Sequence, residues 1–526
     1  MKRYFLLLIA LAAILIAPTA CANRSTGRSR LIYGLTLAPS GIDPHVNASS
    51  ELGIPLTSVY DTLVFKDPES GDFVPGLAED WEITNEGTTY TFWLREDVVF
   101  HDGTPFNADA VRFNLERITS NELASQKARF MLGPYDRTEV LDEYTVRVHL
   151  REPFAPLLDS LSQVYLGMAS PAAIEEWGSE YQLHQVGTGP FIFAEYSPRD
   201  RLLLRRNPDY AWSPSVYENE QAQLEEIEFR FFVDPATRSP ALETGQAHVM
   251  GEIPPQDVER LESADAFDVK PVPIPGASLM FFLNTQRAPL DEAAVRQALL
   301  YATNRQAIVN TAYYSTSPVA YGPLAAATFG YEPRVREYYA YDPDQARELL
   351  EQAGWSSTGE GDLREREGER LHLDVYVMPW GYVSEVGQLL AAQWSEVGVD
   401  VELHQVTYSE ALTIANEGEH HAIPFNLSST DPDILRSFFH SQAVFNWSRI
   451  QDETMDQWLE TGARTLDPEE RGELYSQVQL RVMERALIIP IRDYVNQNGT
   501  SSRVDGLRFS AQGWFPWLID VRLEAE

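Results

Sequence analysis

Cys21 is the only cysteine in the 526-residue chain. No disulfide and no thiolate metal cluster can be built within it. Serine hydrolysis on an α/β-hydrolase sheet would show a Gly-x-Ser-x-Gly elbow, and zinc proteolysis a His-Glu-x-x-His pair. Neither pattern occurs. His420 and His421 are adjacent, so on a strand they point to opposite faces and cannot both ligate one ion. Gly187-Thr188-Gly189-Pro190 lacks the lysine of a phosphate loop, and Pro190 removes an amide donor. Asp431-Pro432-Asp433 leaves two readings open: the carboxylates cap a helix that begins there, or they contact a cation or amine. Two segments are better suited to recognition than to reaction. Met378-Pro379-Trp380-Gly381-Tyr382 and Phe425-Asn426-Leu427-Ser428-Ser429-Thr430 each leave the end of an apolar strand. Ligands of open α/β sheets bind outside the carboxyl ends of strands, in pockets with apolar walls and a few polar groups. No catalytic residue, metal site or cofactor motif emerges.

The elements that must position these segments alternate between strand and helix, which predicts α/β architecture. Tyr90, Phe92 and Leu94 alternate along a strand. Asn107 is placed to cap a helix that buries Val111, Leu115 and Ile118. Val295, Ala298, Leu299 and Ala302 recur at helical spacing. Asp342-Pro343-Asp344-Gln345 predicts a capped helix start, and Gly354 its end. A βαβαβ run follows. Leu371 to Val377 is a strand, Val386 to Trp394 a helix stopped at Gly398, and Val399 to Leu403 a strand. Ser409–Glu417 is a second helix and Ala422–Leu427 a third strand, with parallel pairing expected.

The size calls for more than one domain, because single cores rarely exceed roughly 250–300 residues. The 41 basic and 78 acidic side chains give a formal charge of −37. Phosphate backbones are repelled by such a surface, so nucleic acid is excluded as a partner. Lys2 and Arg3 precede an apolar run from Phe5 to Ile16, which is too short to span a bilayer. This reads as an export signal over residues 1–21. Cys21 after Ala20 resembles the lipobox of bacterial lipoproteins, with Pro18 standing where leucine is usual. Cleavage after Ala22 at Ala20-Cys21-Ala22 is the rival reading. A polar tether, residues 22–30, follows.

An ordered series of short motifs then carries a resemblance. It runs Ile42-Asp43-Pro44-His45, Tyr60-Asp61-Thr62-Leu63, Pro75-Gly76-Leu77-Ala78-Glu79-Asp80-Trp81 and Phe100-His101-Asp102-Gly103-Thr104-Pro105-Phe106. Gly187-Thr188-Gly189-Pro190-Phe191, Arg206-Asn207-Pro208-Asp209-Tyr210, Val295-Arg296-Gln297-Ala298, Tyr341-Asp342-Pro343 and Asp431-Pro432-Asp433 continue it. In this series the chain resembles the bacterial extracellular solute-binding proteins of family 5, the dipeptide- and oligopeptide-binding group. The resemblance implies a type II periplasmic-binding fold with an extra α/β domain and no enzymatic activity. By it, lobe I takes 31–63, 184–275 and 501–526, the extra domain 64–183, and lobe II 276–500. It implies a ligand cleft between the lobes, with contacts from Ser49, Ser50, Met280, Phe281, Trp380, Asn426, Ser428 and Tyr494.

It further implies a monomeric, lipid-anchored, extracytoplasmic receptor that hands a small solute to ABC permease and ATPase subunits. An oligopeptide or peptide-like solute leads, with nickel chelates, glycosides and opines as alternatives. An exported hydrolase using acidic side chains, or a partner of a sensor, are readings of other classes. The chain departs from the dipeptide binders at two points. Ser428 stands where they place an aspartate on the peptide amino group. The loop after Met378-Pro379 is shorter and lacks the arginine that holds the carboxylate. Both end-group charge clamps are therefore expected to be missing.

Overall fold

A computed structural model describes residues 29–38, 42–46, 49–123, 125, 127–357 and 362–524, without the side chains of Ser50 and Leu52. Cys21, the signal segment and most of the tether lie outside the described residues.

Two sheets form the two lobes. The first has seven strands in the order Phe267–Pro273, Val495–Ser501, Val249–Met250, Arg30–Leu35, Glu226–Phe231, Arg201–Arg206 and Phe191–Ser197. Arg30–Leu35 runs parallel to both its neighbours, while the outer pairs are antiparallel. The second has five strands in the order Asp400–Gln405, His372–Val377, Ala422–Phe425, Leu279–Leu283 and Ile488–Arg492. Its first three strands are parallel, as the βαβαβ reading predicts. Leu279–Leu283 pairs antiparallel with Ala422–Phe425 and Ile488–Arg492. This mixed helix–sheet architecture is the type II periplasmic-binding fold.

One boundary differs from expectation. Val495–Ser501 pairs along its whole length with Phe267–Pro273 in the first sheet. The chain therefore re-enters lobe I just after Arg492, not at residue 501. The run Val495-Asn496-Gln497-Asn498-Gly499-Thr500 is polar yet buried, so its hydropathy gives no sign of an inner strand.

The segment between the lobe I strands carries an antiparallel four-stranded sheet in the order Ala78–Thr84, Thr89–Leu94, Thr145–Leu150 and Tyr135–Asp142. Helix Ala108–Thr119 packs against it with Val111, Leu115 and Ile118 fully buried. The Asn107 side chain accepts from Ala110 N–H at 3.0 Å, as an N-cap should. Apolar side chains of this unit and of lobe I make one continuous core. Lobe II has a separate core, which includes Trp394, Trp447 and the all-apolar strand Leu279–Leu283.

Several motifs of the resemblance tie separate segments of lobe I to one another. Asp61 accepts from Thr188 Oγ1 at 2.9 Å, Trp212 Nε1 at 3.0 Å and Tyr210 Oη at 3.2 Å. Burial pushes its carboxyl up to about 6. The glycines of Gly187-Thr188-Gly189 are needed because the chain passes directly over Ser58 and Val59. A Cβ on Gly187 would lie 2.1 Å from the Val59 carbonyl, and one on Gly189 2.6 Å from that of Ser58. The motif is a close approach of two backbones. Among the described residues, no helix is long and apolar enough to cross a membrane.

Candidate ligand cleft

The chain crosses between the lobes at Pro273–Ala277 and again between Arg492 and Val495. Beside these crossings lies a cleft of about 990 Å³. Lobe I contributes Arg238, Glu252, Tyr494 and Trp514 to its lining. Lobe II contributes Tyr313, Ser317, Trp380, Tyr382, Asn426, Ser428 and Arg492.

The first crossing sets Ser428 in place. Gly276 bridges Ser428 at φ +127°, and Ala277 N–H donates to the Leu427 carbonyl at 2.9 Å. A Cβ at 276 would stand 2.4 Å from that carbonyl, so only glycine fits. Among the described residues, neither Asn426 nor Ser428 has a side-chain partner within the protein, and both face the cleft. Trp380 is held by the turn that leaves strand His372–Val377. Its N–H donates to the Met378 carbonyl at 2.9 Å, and Tyr313 Oη donates to the Gly381 carbonyl at 2.8 Å. Tyr382 starts helix Val383–Ser395 in a left-handed conformation, φ 63°. Glu252 on the other lobe is also left-handed, φ 48°. Such residues cost of order 1–3 kcal/mol and cluster where a site must be held in shape.

Sequence reasoning missed the charged residues of the cleft. Arg492 ends the strand Ile488-Ile489-Pro490-Ile491-Arg492 and is 5% exposed. Its guanidinium lies between two aromatic faces, 3.9 Å from the ring of Tyr313 and 4.4 Å from that of Tyr494. Nη1 donates to Ser317 Oγ at 2.8 Å. Nε has no partner, and Arg492 forms no ion pair among the described residues. A buried cation without a carboxylate is costly unless a ligand supplies the countercharge. The sequence signal was available: a single arginine closing an apolar strand two residues before Tyr494.

The other cleft charges are committed differently. Arg238 donates to the carbonyls of Phe232, Val233 and Glu252 at 3.1–3.3 Å and lies 3.6 Å from the Glu252 carboxylate. Tyr494 Oη donates to Glu252 Oε1 at 2.5 Å. Glu385 is exposed at the rim. Two cations and two anions thus line a cleft in a strongly acidic chain, and Arg492 is the cation left without a carboxylate partner. The loop after Met378-Pro379 carries no arginine, and Arg492 reaches the cleft lining from this strand instead.

The named site residues divide. Trp380, Asn426, Ser428 and Tyr494 line the cleft. Met280 and Phe281 do not: both are fully buried in the centre of the lobe II sheet, opposite Phe425 and Pro424. Ser49 precedes helix Ser50–Leu56 outside the lining, and its carbonyl accepts from Tyr165 Oη at 3.0 Å. The Ser50 side chain lies outside the described residues. Asp431 follows the capping reading in part, since its Oδ1 accepts from Asp433 N–H at 2.8 Å at the head of helix Ile434–Phe439. Asp431 makes a two-pronged ion pair with Arg471 at 2.6 and 2.7 Å, and Asp433 accepts from Arg436 and from Tyr475 Oη at 2.8 Å. Asp433 precedes helix Ile434–Phe439 without a side-chain capping bond.

Residues 72–446 match the family described as bacterial extracellular solute-binding proteins, family 5 Middle. The chain belongs to this family of transport receptors, which are not enzymes and work outside the cytoplasmic membrane. It is 27% identical over 517 residues to a dipeptide-binding protein of Pseudomonas aeruginosa, covering 92% of this chain and 93% of that one. The periplasmic binding protein DppA of Helicobacter pylori, solved with the peptide STSA, is 25% identical with a TM-score of 0.77 over 95% of this chain and 99% of that one. NikA of Brucella suis, solved with Fe(III)-EDTA, shares the fold at 24% identity and a TM-score of 0.84, covering 94% and 100%.

Proposed function

We propose that this chain is the ligand-capturing lipoprotein of an ABC importer for a small zwitterionic, peptide-like solute. It acts as a monomer tethered outside the membrane through Cys21 and passes its ligand to the permease. The observation that carries the ligand class is Arg492, a buried guanidinium facing the cleft without a carboxylate partner. A ligand carboxylate on Arg492 supplies the missing charge. Glu252 and Glu385 offer countercharge for an amino group, which Ser428 cannot. Trp380 and Trp514 provide apolar walls for a side chain between the ends. The peptide complex of the Helicobacter pylori relative and the name of the Pseudomonas aeruginosa relative support the same class.

The test is a thermal shift of the ligand-free protein with a mixed di- to tetrapeptide pool and with the same pool amidated at its C-termini. A ligand at 100 times its dissociation constant stabilises by about 2.7 kcal/mol. A shift with the free-acid pool only supports the reading; no shift with either pool, or equal shifts with both, defeats it. Anchoring is tested separately by fractionating cells that express Cys21→Ser, which should move the protein from membrane to soluble fraction.

A further inference from the structure

A second cluster lies on lobe II, away from the cleft. Strands His372–Val377 and Asp400–Gln405 run parallel with His372 opposite Asp400, Asp374 opposite Glu402 and Tyr376 opposite His404. Their odd-numbered neighbours Leu373, Val375 and Val377 are buried in the core. The even-numbered side chains therefore share the other face, where they are half-buried or exposed.

We propose that His372, Asp374 and Glu402 form a surface site for a divalent transition cation of the zinc, nickel and copper class. One ligand atom from each lies within 4.8 Å of the others. Atoms bound to one such ion at 2.0–2.2 Å stand roughly 3–4 Å apart, so only small side-chain adjustments are needed. The imidazole is already oriented. His372 Nδ1 meets Asp400 Oδ2 at 3.1 Å. In the tautomer whose Nδ1–H donates to Asp400, the lone pair sits on Nε2, 3.5 Å from Asp374 Oδ1. Two acceptors at that distance repel unless a positive charge, either a bound metal ion or the second proton of an imidazolium, stands between them. A carboxylate behind a metal-binding histidine, fixing its tautomer, is the common arrangement at such sites.

Asp374 is likewise held for one-oxygen ligation. Its Oδ2 takes Arg287 Nη2 at 2.7 Å, which leaves Oδ1 toward the imidazoles. His404 Nε2 stands 3.0 Å from Asp374 Oδ1 and 3.8 Å from Glu402 Oε1, close enough to replace either as a ligand by rotation. Three carboxylates, Asp374, Asp400 and Glu402, outweigh the single guanidinium of Arg287. Mixed imidazole and carboxylate donors select borderline cations over magnesium.

The test is a titration of tag-free full-length protein with Zn²⁺ and Ni²⁺ against a chromophoric chelator, with Mg²⁺ as a hard-cation control. One equivalent of Zn²⁺ should bind, and Mg²⁺ should not compete. His372→Ala and Glu402→Gln should each weaken binding by at least tenfold, and Asp400→Asn by about 10–100-fold. Visible absorption of the Co²⁺ form should show nitrogen ligation that His372→Ala removes, and circular dichroism confirms that each variant is folded. Cys21→Ser and the distant His440→Ala should leave the titration unchanged. Absence of one-equivalent binding, or full retention of it in His372→Ala and Glu402→Gln, overturns the site, as does loss of binding in Cys21→Ser. Peptide affinity of the cleft is read in parallel, so failure here leaves the ligand assignment untouched.

Discussion

Tyr382 on lobe II donates its hydroxyl hydrogen bond to Gln256 Oε1 on lobe I at 3.1 Å, closing the mouth of the cleft. The two residues meet only when the lobes are together, so the bond acts on closure rather than on folding. A net hydrogen bond is worth about 0.5–1.5 kcal/mol. Tyr382→Phe should therefore weaken ligand binding by about 2–10-fold, chiefly through faster release, with an unchanged melting temperature of the ligand-free protein. Stopped-flow fluorescence of the cleft tryptophans measures this; an unchanged release rate would contradict the role.

Arg492 should control recognition of one end of the ligand. Replacing it by glutamine removes a charge-assisted contact worth about 1.5–3 kcal/mol. Affinity for a free-acid peptide should fall by about 10–100-fold, whereas an amidated analogue should bind both proteins equally. Isothermal calorimetry with the matched pair of peptides separates this outcome from general damage, which would weaken both.

Glu51 should make stability depend on pH near neutrality. It accepts from Thr36 N–H at 3.0 Å and Thr36 Oγ1 at 2.7 Å. Burial, followed by repulsion from Glu252, raises its carboxyl from 4.5 to about 7. The folded state thus keeps a proton that the unfolded chain releases near 4.5. Stability from this group is complete below that pH and is lost as pH rises through about 7. Glu51→Gln can accept from Thr36 N–H with its amide oxygen and donate its amide N–H to Thr36 Oγ1, and it removes the titration. Its melting temperature should gain on the wild type between pH 5 and 8, by an amount corresponding to about 3 kcal/mol at most. A difference that does not change with pH would refute the assignment.

Arg471 should matter for folding and not for binding. Asp431 beside it is buried, and the guanidinium holds that carboxyl below its ordinary range against the opposing effect of desolvation. Removing one partner of a buried pair costs about 3–5 kcal/mol, because the other charge is stranded. Arg471→Met should lower the urea midpoint accordingly, and adding Asp431→Asn should restore part of the loss. A double variant no more stable than the single one would show that the pair is not coupled.

Much of the frame was legible in the chain. Asn107, Asp342 and Gly354 punctuate helices because their local chemistry is sufficient: each satisfies or ends a helix within four residues. The parallel strands of lobe II were legible because Leu373, Val375 and Val377 alternate with polar residues. The site was legible only in part. Trp380, Asn426 and Ser428 lie where strands end, a place that periodicity marks. Arg492 owes its position to pairing between distant segments, which no local pattern encodes. Met280 and Phe281 failed as ligand contacts because an all-apolar strand buried on both faces shows nothing of which residue reaches an edge. The Asp431 ion pair was hidden for a related reason: its partner Arg471 lies two helices further along the chain.

The sheet of lobe I has a consequence for how the molecule is made. Its central strand, Arg30–Leu35, comes from the start of the described chain, while Val495–Ser501 comes from near the end and is sandwiched between Val249–Met250 and Phe267–Pro273. Until that late segment is delivered, the edge of Val249–Met250 is unpaired and the strand Phe267–Pro273 has no neighbour. Lobe I therefore cannot close during synthesis and waits for almost the entire polypeptide. Pairing across such separations is slow, because chain entropy is lost before contacts compensate. The emerging chain thus keeps its N-terminal half incomplete for longest.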